Sequence, residues 1–275
     1  MKGSLRLHVA MTVATAALTV AASASSFDYN FLDYGRVLHD HVRGTRVDYA
    51  ALKRSRATLD SAIAQLAEPT TVDEQGWSRD QRLAFWINAY NLLTLRTIVD
   101  HYPIQGSWFT RAPRNSIRQI DGVWTKITWR AAGRTLTLDD IEHRILRPEF
   151  KEPRVHFAVN CASVGCPPLA AEPYLARTLD AQLDAAARRY LSSERGLTIA
   201  GSTLSVTRIL EWYGDDFVAR FAPDAAGKPD RIERAIRGVV LRFGPPAAAD
   251  LAGKPTTRIQ FLDYDWSLND TTAAR

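Results

Sequence analysis

Cysteine is scarce in this sequence, since its 275 residues contain only Cys161 and Cys166. A chain of this length can bury a sizeable core without many disulfides or structural metals. The composition therefore excludes a disulfide-rich scaffold. It leaves open whether these two cysteines form a single bridge or remain free thiols.

The sequence also lacks a strong charge imbalance. Its formal net charge is only +5, and no basic stripe alternates with aromatic residues in the way that nucleic-acid binding requires. We therefore expect no nucleic-acid partner. The remaining expectation is an unknown small-molecule or peptide substrate.

Long hydrophobic runs are absent except near the N-terminus. There, Lys2 and Arg6 precede an uncharged apolar run over residues 9–22, which ends at the small residues Ala22 and Ala24. This pattern is typical of a cleaved signal peptide, and the run is shorter than the roughly 20 residues of a membrane-spanning helix. We expect a signal peptide over 1–24 and one globular domain over 25–275, periplasmic or secreted, with no integral membrane segment after cleavage. An N-terminal anchor is the alternative.

Hydrophobic periodicity predicts a mostly helical α+β domain with short β-hairpins and a small sheet. Ser78 and Gln81 form a capping box before a helix that is apolar on nearly every side, as expected for a buried central helix. The other predicted helices cover residues 27–42, 50–66, 137–146, 174–191, 209–221 and 229–243. The predicted strands cover residues 126–129, 134–137, 154–159, 197–199, 203–206 and 257–262.

The segment around the cysteines is the first candidate for chemistry. The predicted strand 154–159 leads into Asn160 and Cys161, so the thiol would lie at the edge between a strand and a loop. Backbone N–H groups around Ala162 and Ser163 could favour a thiolate and form an oxyanion hole. A disulfide between Cys161 and Cys166 is the alternative interpretation of the same segment.

The predicted helix over 137–146 carries the second candidate. Glu142 lies on its apolar face, where a carboxylate is unexpected unless it has a partner or a task. His143 could serve as the general base for Cys161. Alternatively, the two side chains hold the helix in place. Strand alternation places His156 and Asn160 on one wall of a pocket, although a structural role for His156 is equally compatible with the pattern.

Two amides in the central helix, Asn88 and Asn91, must be hydrogen-bonded if that helix is buried. They could brace the cysteine loop or another buried loop. No cofactor or metal is predicted. His143, His156 and the two cysteines could surround a zinc ion, but they lack a familiar ligand spacing.

Several motifs, taken together, resemble the family known as domain of unknown function 547. They are residues 84–91 (AFWINAYN), 141–143 (IEH), 156–167 (HFAVNCASVGCP), 210–217 (LEWYGDDF) and 264–269 (YDWSLN). The resemblance implies no settled activity. It does imply a family pattern that contains both cysteine positions, in exported bacterial proteins and in plant proteins expected to be intracellular. That distribution favours a working thiol over a purely structural bridge.

The leading hypothesis is a thiol-dependent hydrolase or acyl-transferase that acts on an amide, peptide or thioester. Cys161 would be the nucleophile and His143 the base, with Glu142 or Asn160 orienting the histidine. The remaining candidates, namely His156, Asn88, Asn91, Ser163 and Cys166, would line or brace the site. The rival hypothesis is a non-catalytic binding module with a structural disulfide, and the third is a dithiol–disulfide redox protein.

Overall fold

The computed structural model of this chain describes residues 27–274. The expected signal peptide therefore lies outside the described residues. Within the described part, no helix has both the length and the apolar character needed to cross a membrane.

Eleven α-helices dominate the described residues, together with seven short strands. The helices are α1 (Leu32–His41), α2 (Tyr49–Arg54), α3 (Ala57–Leu66), α4 (Thr71–Gln75), α5 (Arg79–His101), α6 (Arg147–Phe150), α7 (Leu179–Leu191), α8 (Ile209–Trp212), α9 (Gly214–Phe221), α10 (Arg231–Phe243) and α11 (Pro246–Ala252). The strands are β1 (Val42–Arg43), β2 (Arg46–Val47), β3 (Trp129–Ala131), β4 (Arg134–Leu136), β5 (Leu197–Ala200), β6 (Thr203–Val206) and β7 (Arg258–Phe261). The predicted α+β class is confirmed.

Helix α5 organises the first hydrophobic core. Its N-terminus carries the predicted capping box, in which the Ser78 side chain accepts from Gln81 N–H and the Gln81 side chain accepts from Ser78 N–H. Almost every side chain from Leu83 to Val99 is buried, against α2, α3 and the helical segment Asp140–Leu146. The helix ends before Pro103, because a residue that precedes proline disfavours the helical conformation.

A second core forms around α10, which packs against α7, α9 and α11. The sheet beside this core has the order β5-β6-β7, with an antiparallel hairpin joined to the parallel strand β7. This hairpin and the closing strand were both expected. The helix expected over 50–66 is instead split into α2 and α3, and the one expected over 27–42 begins only at Leu32.

The prediction of a strand over residues 154–159 is wrong. Residues Pro153–Phe157 form a 3₁₀ helix, with the Glu152 side chain accepting from Arg154 N–H at its start. The Arg154 guanidinium is buried and bonds Glu152, Asp180 and Asp184. The alternation of Val155, Phe157 and Val159 favoured a strand, but ionic contacts with α7, distant in sequence, decide the local structure.

Candidate functional site

A cavity of about 180 Å³ is lined by residues from both cores. Both cysteines contribute to its wall, together with the ionisable side chains of Glu142 and His156. Six aromatic residues form much of the remaining wall: Tyr90, Trp124, Trp212, Tyr213, Tyr264 and Trp266. Nucleophilic, acid–base and aromatic groups therefore share one concave surface.

The two cysteines are free and in contact. Their Sγ atoms are 2.7 Å apart, Cys161 being partly exposed and Cys166 buried. The Cys161 Sγ also lies 3.2 Å from the Ser163 hydroxyl and 3.3 Å from the Tyr264 hydroxyl. Because thiols and hydroxyls can donate hydrogen bonds, these three neighbours can stabilise a negative charge on Cys161.

These contacts and burial shift the pKa values of the two thiols in opposite directions. The hydrogen bond from Cys166 is the main cause that lowers the pKa of Cys161 to about 7, with Ser163 and Tyr264 adding to it against the effect of burial. Burial raises the pKa of Cys166 well above its ordinary value. Cys161 is therefore the more acidic thiol of the pair, and Cys166 is the thiol that donates to it.

Buried amides hold the cysteine loop. The Asn91 Oδ1 accepts from Asn160 N–H at 2.8 Å, and the Asn160 Nδ2 donates to the Pro167 carbonyl at 2.7 Å. Asn88 braces a different loop, since its amide bonds both backbone groups of Tyr174. No hydrogen bond among the described residues joins Asn160 to a histidine. The structure thus places these three amides as supports of the backbone.

The backbone N–H groups expected to form an oxyanion hole are already engaged. Ala162 N–H donates to Asn160 Oδ1 at 2.9 Å, with Ala162 in the left-handed conformation at a φ of 58°. Ser163 N–H bonds Cys161 and helps to lower its pKa. In this arrangement, Ser163 stabilises the thiolate itself.

The last segment of the chain lies against the cysteine loop. Gly165 N–H donates to the Asp265 carbonyl and Val164 N–H to the Ser267 carbonyl, each at 2.8 Å. A Cβ added at Gly165 would lie 3.0 Å from the Asp265 backbone nitrogen, which explains why glycine suits this close approach. These bonds bring the Tyr264 hydroxyl to the thiol.

His156 is buried on the cavity wall and held by a carboxylate. Its Nε2 lies 2.8 Å from Asp216 Oδ2, and its ring stacks on Tyr213 with centroids 4.0 Å apart. Burial opposes ionisation of Asp216, but hydrogen bonds from His156 and Arg147 outweigh it and hold the pKa of Asp216 well below its ordinary value. Since the carboxylate can only accept, Nε2 carries a proton and Nδ1 is the basic nitrogen of the neutral ring.

His143, the expected base, lies outside the wall of this cavity. Arg147 Nη1 donates to its Nδ1 at 2.9 Å, and its Nε2 faces the Asp139 carboxylate at 3.5 Å. Both ring nitrogens are therefore engaged, and no hydrogen bond in the described structure joins His143 to Cys161. The structure brings His156, rather than His143, to the cavity that contains the thiol.

Glu142 faces the cavity while only 7% of the residue is exposed. Burial, together with the charge of Glu142 and a hydrogen bond to it, raises the pKa of Tyr213. The structure thus places this carboxylate beside a phenol. Across the described residues, no group of three or more His, Cys, Asp or Glu side chains is arranged to hold a metal ion.

The comparisons with known proteins give one family. Residues 74–191 match the model described as "Protein of unknown function, DUF547". This match supports the assignment of residues 74–191 to the DUF547 family. No curated protein and no solved structure matches it significantly.

The DUF547 match contains both cysteines, Glu142 and His156, but it ends before several residues that complete the site. Sequence reasoning assigned no role to Asp216 or Tyr264. Their signal was available, since the motifs over 210–217 and 264–269 contain both of these residues. What was missing was the knowledge that these distant motifs meet the cysteine loop.

Proposed function

We propose that this DUF547 protein is a thiol-dependent hydrolase or acyl-transferase with Cys161 as its nucleophile. The observation that carries the proposal is the surroundings of the Cys161 Sγ: a thiol and two hydroxyls contact it at the wall of a cavity. With a pKa of about 7, about half of the Cys161 side chain is thiolate at neutral pH before substrate arrives. That fraction needs no base to activate it.

The reaction begins with attack by the Cys161 sulfur on the carbonyl carbon of an amide, peptide or thioester. A carbon–sulfur bond forms, and the bond to the leaving nitrogen or sulfur breaks. When the sulfur bonds the carbonyl carbon, its negative charge passes to the carbonyl oxygen. The Ser163 and Tyr264 hydroxyls then become available to the oxyanion of this tetrahedral intermediate. Water or a second nucleophile then cleaves the acyl-enzyme and restores the thiolate.

His156 is the proton-transfer residue in this proposal. Asp216 fixes its ring and tautomer, as an orienting carboxylate does in nucleophilic triads. In its protonated form, His156 donates a proton to the leaving nitrogen or sulfur as the acyl-enzyme forms. It regains that proton from the water that attacks the acyl-enzyme. This role replaces the one expected for His143, whose two nitrogens face Arg147 and Asp139.

The test is a pair of measurements on the purified full chain. Alkylation of Cys161 by iodoacetamide, followed by mass spectrometry, should rise with pH to a midpoint near 7, below the value of about 8.5 for a free cysteine. A panel of thioesters and p-nitrophenyl esters should then acylate Cys161. A thiol that alkylates no faster than free cysteine, with no acyl-enzyme from any ester, would contradict the proposal and favour a binding module.

A second candidate function is dithiol–disulfide exchange, which the 2.7 Å separation of the two Sγ atoms favours. Cys161 would attack one sulfur of a substrate disulfide and release a thiolate. Cys166 would then lose its proton, attack the Cys161 Sγ and release the second thiol, so that two electrons pass to the substrate. Incubation with oxidised glutathione tests this candidate, since it should convert the protein to the Cys161–Cys166 disulfide and release two equivalents of glutathione.

We also propose that the protein acts in the periplasm or outside the cell after cleavage following Ala24. The support is the basic start, apolar run and small residues at the N-terminus of the sequence. Cell fractionation and N-terminal sequencing of the recovered protein test this proposal. Recovery from the cytoplasm with an intact N-terminus would contradict it.

A further inference from the structure

Glu142 has no cationic partner of its own in the described structure. The carboxylates beside it in sequence do: Asp139 faces His143, and Asp140 pairs with Arg144 at 3.1 Å. The charge of Glu142 contributes to the raised pKa of Arg147. The hydrogen bonds of the Arg147 guanidinium, however, go to Asp216 and His143. The Glu142 carboxylate is more than nine-tenths buried and faces a cavity without an ion pair. Because a buried charge is normally paired, we expect a cationic ligand to bind beside it.

The remaining wall of the cavity suits a cation. Neither a lysine nor an arginine lines it, and most of its rings belong to one cluster. Trp266 stacks on Trp212 with centroids 5.9 Å apart and contacts Tyr264 at 4.7 Å. Aromatic faces attract ammonium groups through their negative quadrupole, and a neighbouring carboxylate adds to that attraction.

Two of these rings already bind cations within the protein. The Arg118 guanidinium lies 4.9 Å from the Trp266 ring centroid, and that of Arg147 lies 5.1 Å from the centroid of Tyr213. The charge of Arg147 is compensated by its two bonds to Asp216. These contacts show that the rings can hold a cation, while Glu142 forms no ion pair among the described residues.

We propose that the cavity selects acyl substrates that carry a protonated amino group, with Glu142 as its ionic partner and the aromatic cluster as its surroundings. This inference rests on the proposed thiol function for the identity of the reacting group, but not for the binding of the amine. A volume of about 180 Å³ suits the amino end of such a substrate. Trp212, which is 45% exposed, marks the mouth through which the rest of the substrate would extend.

The experiment compares three small probes of similar shape on the full chain: n-butylammonium, n-butanol and n-butyrate. Binding is followed by tryptophan fluorescence at pH 7 and constant ionic strength, because three tryptophans line the cavity. We expect butylammonium to bind about tenfold more tightly than butanol, and butyrate to bind most weakly. The variant Glu142→Gln should abolish the preference for the ammonium probe.

The matched control is Glu149→Gln. It changes the net charge equally, but Glu149 pairs with Arg82 at 2.6 Å and does not line the cavity. This control should keep the preference for butylammonium. Equal affinity for butylammonium and butanol in the wild-type protein would overturn the inference, as would an unchanged preference in folded Glu142→Gln. If Glu142→Gln does not fold, the comparison of butylammonium with butanol on the wild-type protein tests the inference by itself.

Failure of this inference can be told apart from failure of the thiol function by measuring iodoacetamide alkylation on the same samples. A fast Cys161 without ammonium preference overturns only the amine site. Ammonium preference with an unreactive Cys161 supports the amine site and overturns the thiol function, leaving a binding module for amines.

Discussion

The two parts of the chain that build the cavity contribute different chemistry. Residues 74–191, the DUF547 match, supply Cys161, Cys166, Glu142 and His156. The chain after residue 191 supplies four of the six aromatic residues on the wall. It also supplies Asp216, which holds His156. The comparison shows that the cysteines and most of the aromatic wall come from separate segments, so the family match alone does not contain the whole cavity wall.

The largest effect should come from the first part, through Cys161→Ser. A serine hydroxyl is not ionised at neutral pH, so acylation should fall by about 10⁴-fold or more. The measurement is acyl-enzyme formation by mass spectrometry. The chemically identical change Cys166→Ser should retain acylation at a reduced rate. Equal loss in both variants would contradict the assignment of Cys161 as the single nucleophile.

The variant Asp216→Asn tests whether the chain after residue 191 is needed for the proposed reaction. His156 should lose its orienting carboxylate, and turnover of the best ester should fall by about 10²–10⁴-fold. The matched control is Asp215→Asn, because Asp215 is the adjacent carboxylate and pairs with Arg231 on the surface. If both variants turn over at the same rate, His156 is not the proton-transfer residue.

Tyr264→Phe tests the direct contact between the two parts. A lowered pKa of about 7 means that the thiolate fraction of Cys161, and hence its alkylation rate, rises as pH rises through 7. Removing one hydroxyl donor should move that midpoint upward by about one pH unit, since a hydrogen bond to a charged group is worth roughly 1.5–3 kcal/mol.

The readout for this variant is the pH profile of iodoacetamide alkylation. The exposed Tyr29 provides the control Tyr29→Phe, which should leave the midpoint near 7. A midpoint that stays in place in Tyr264→Phe would show that Tyr264 does not stabilise the thiolate.

The smallest effect should come from Trp212→Ala at the mouth of the cavity. Alkylation of Cys161 should not change, because iodoacetamide needs no aromatic surface. The KM of an amino-bearing ester should rise about threefold, as expected for a partly exposed cation–π contact. Trp108→Ala is the matched control, since Trp108 is exposed elsewhere and stacks with Arg114. A fall in kcat without a change in KM would contradict a binding role.

The sequence by itself determined the features that depend on local patterns. The capping box at Ser78 and the apolar circumference that follows it define α5, because a helix with no polar face can only be buried. The β5-β6 hairpin follows from strand propensity on both sides of Gly201, which adopts a positive φ in the turn. The motif over residues 156–167 likewise indicated that the cysteine loop belongs to the candidate site.

Only the tertiary structure decided which groups meet at the thiol. Arg154 finds its carboxylates on α7, so the segment before Cys161 folds as a 3₁₀ helix where its own pattern favours a strand. His156 lies on the cavity wall, where Asp216, 60 residues away in sequence, bonds its ring, whereas His143 lies outside that wall. The Tyr264 hydroxyl reaches Cys161 across 103 residues. Hydrogen bonds between residues this far apart depend on the packing of the two cores, which no local sequence pattern records.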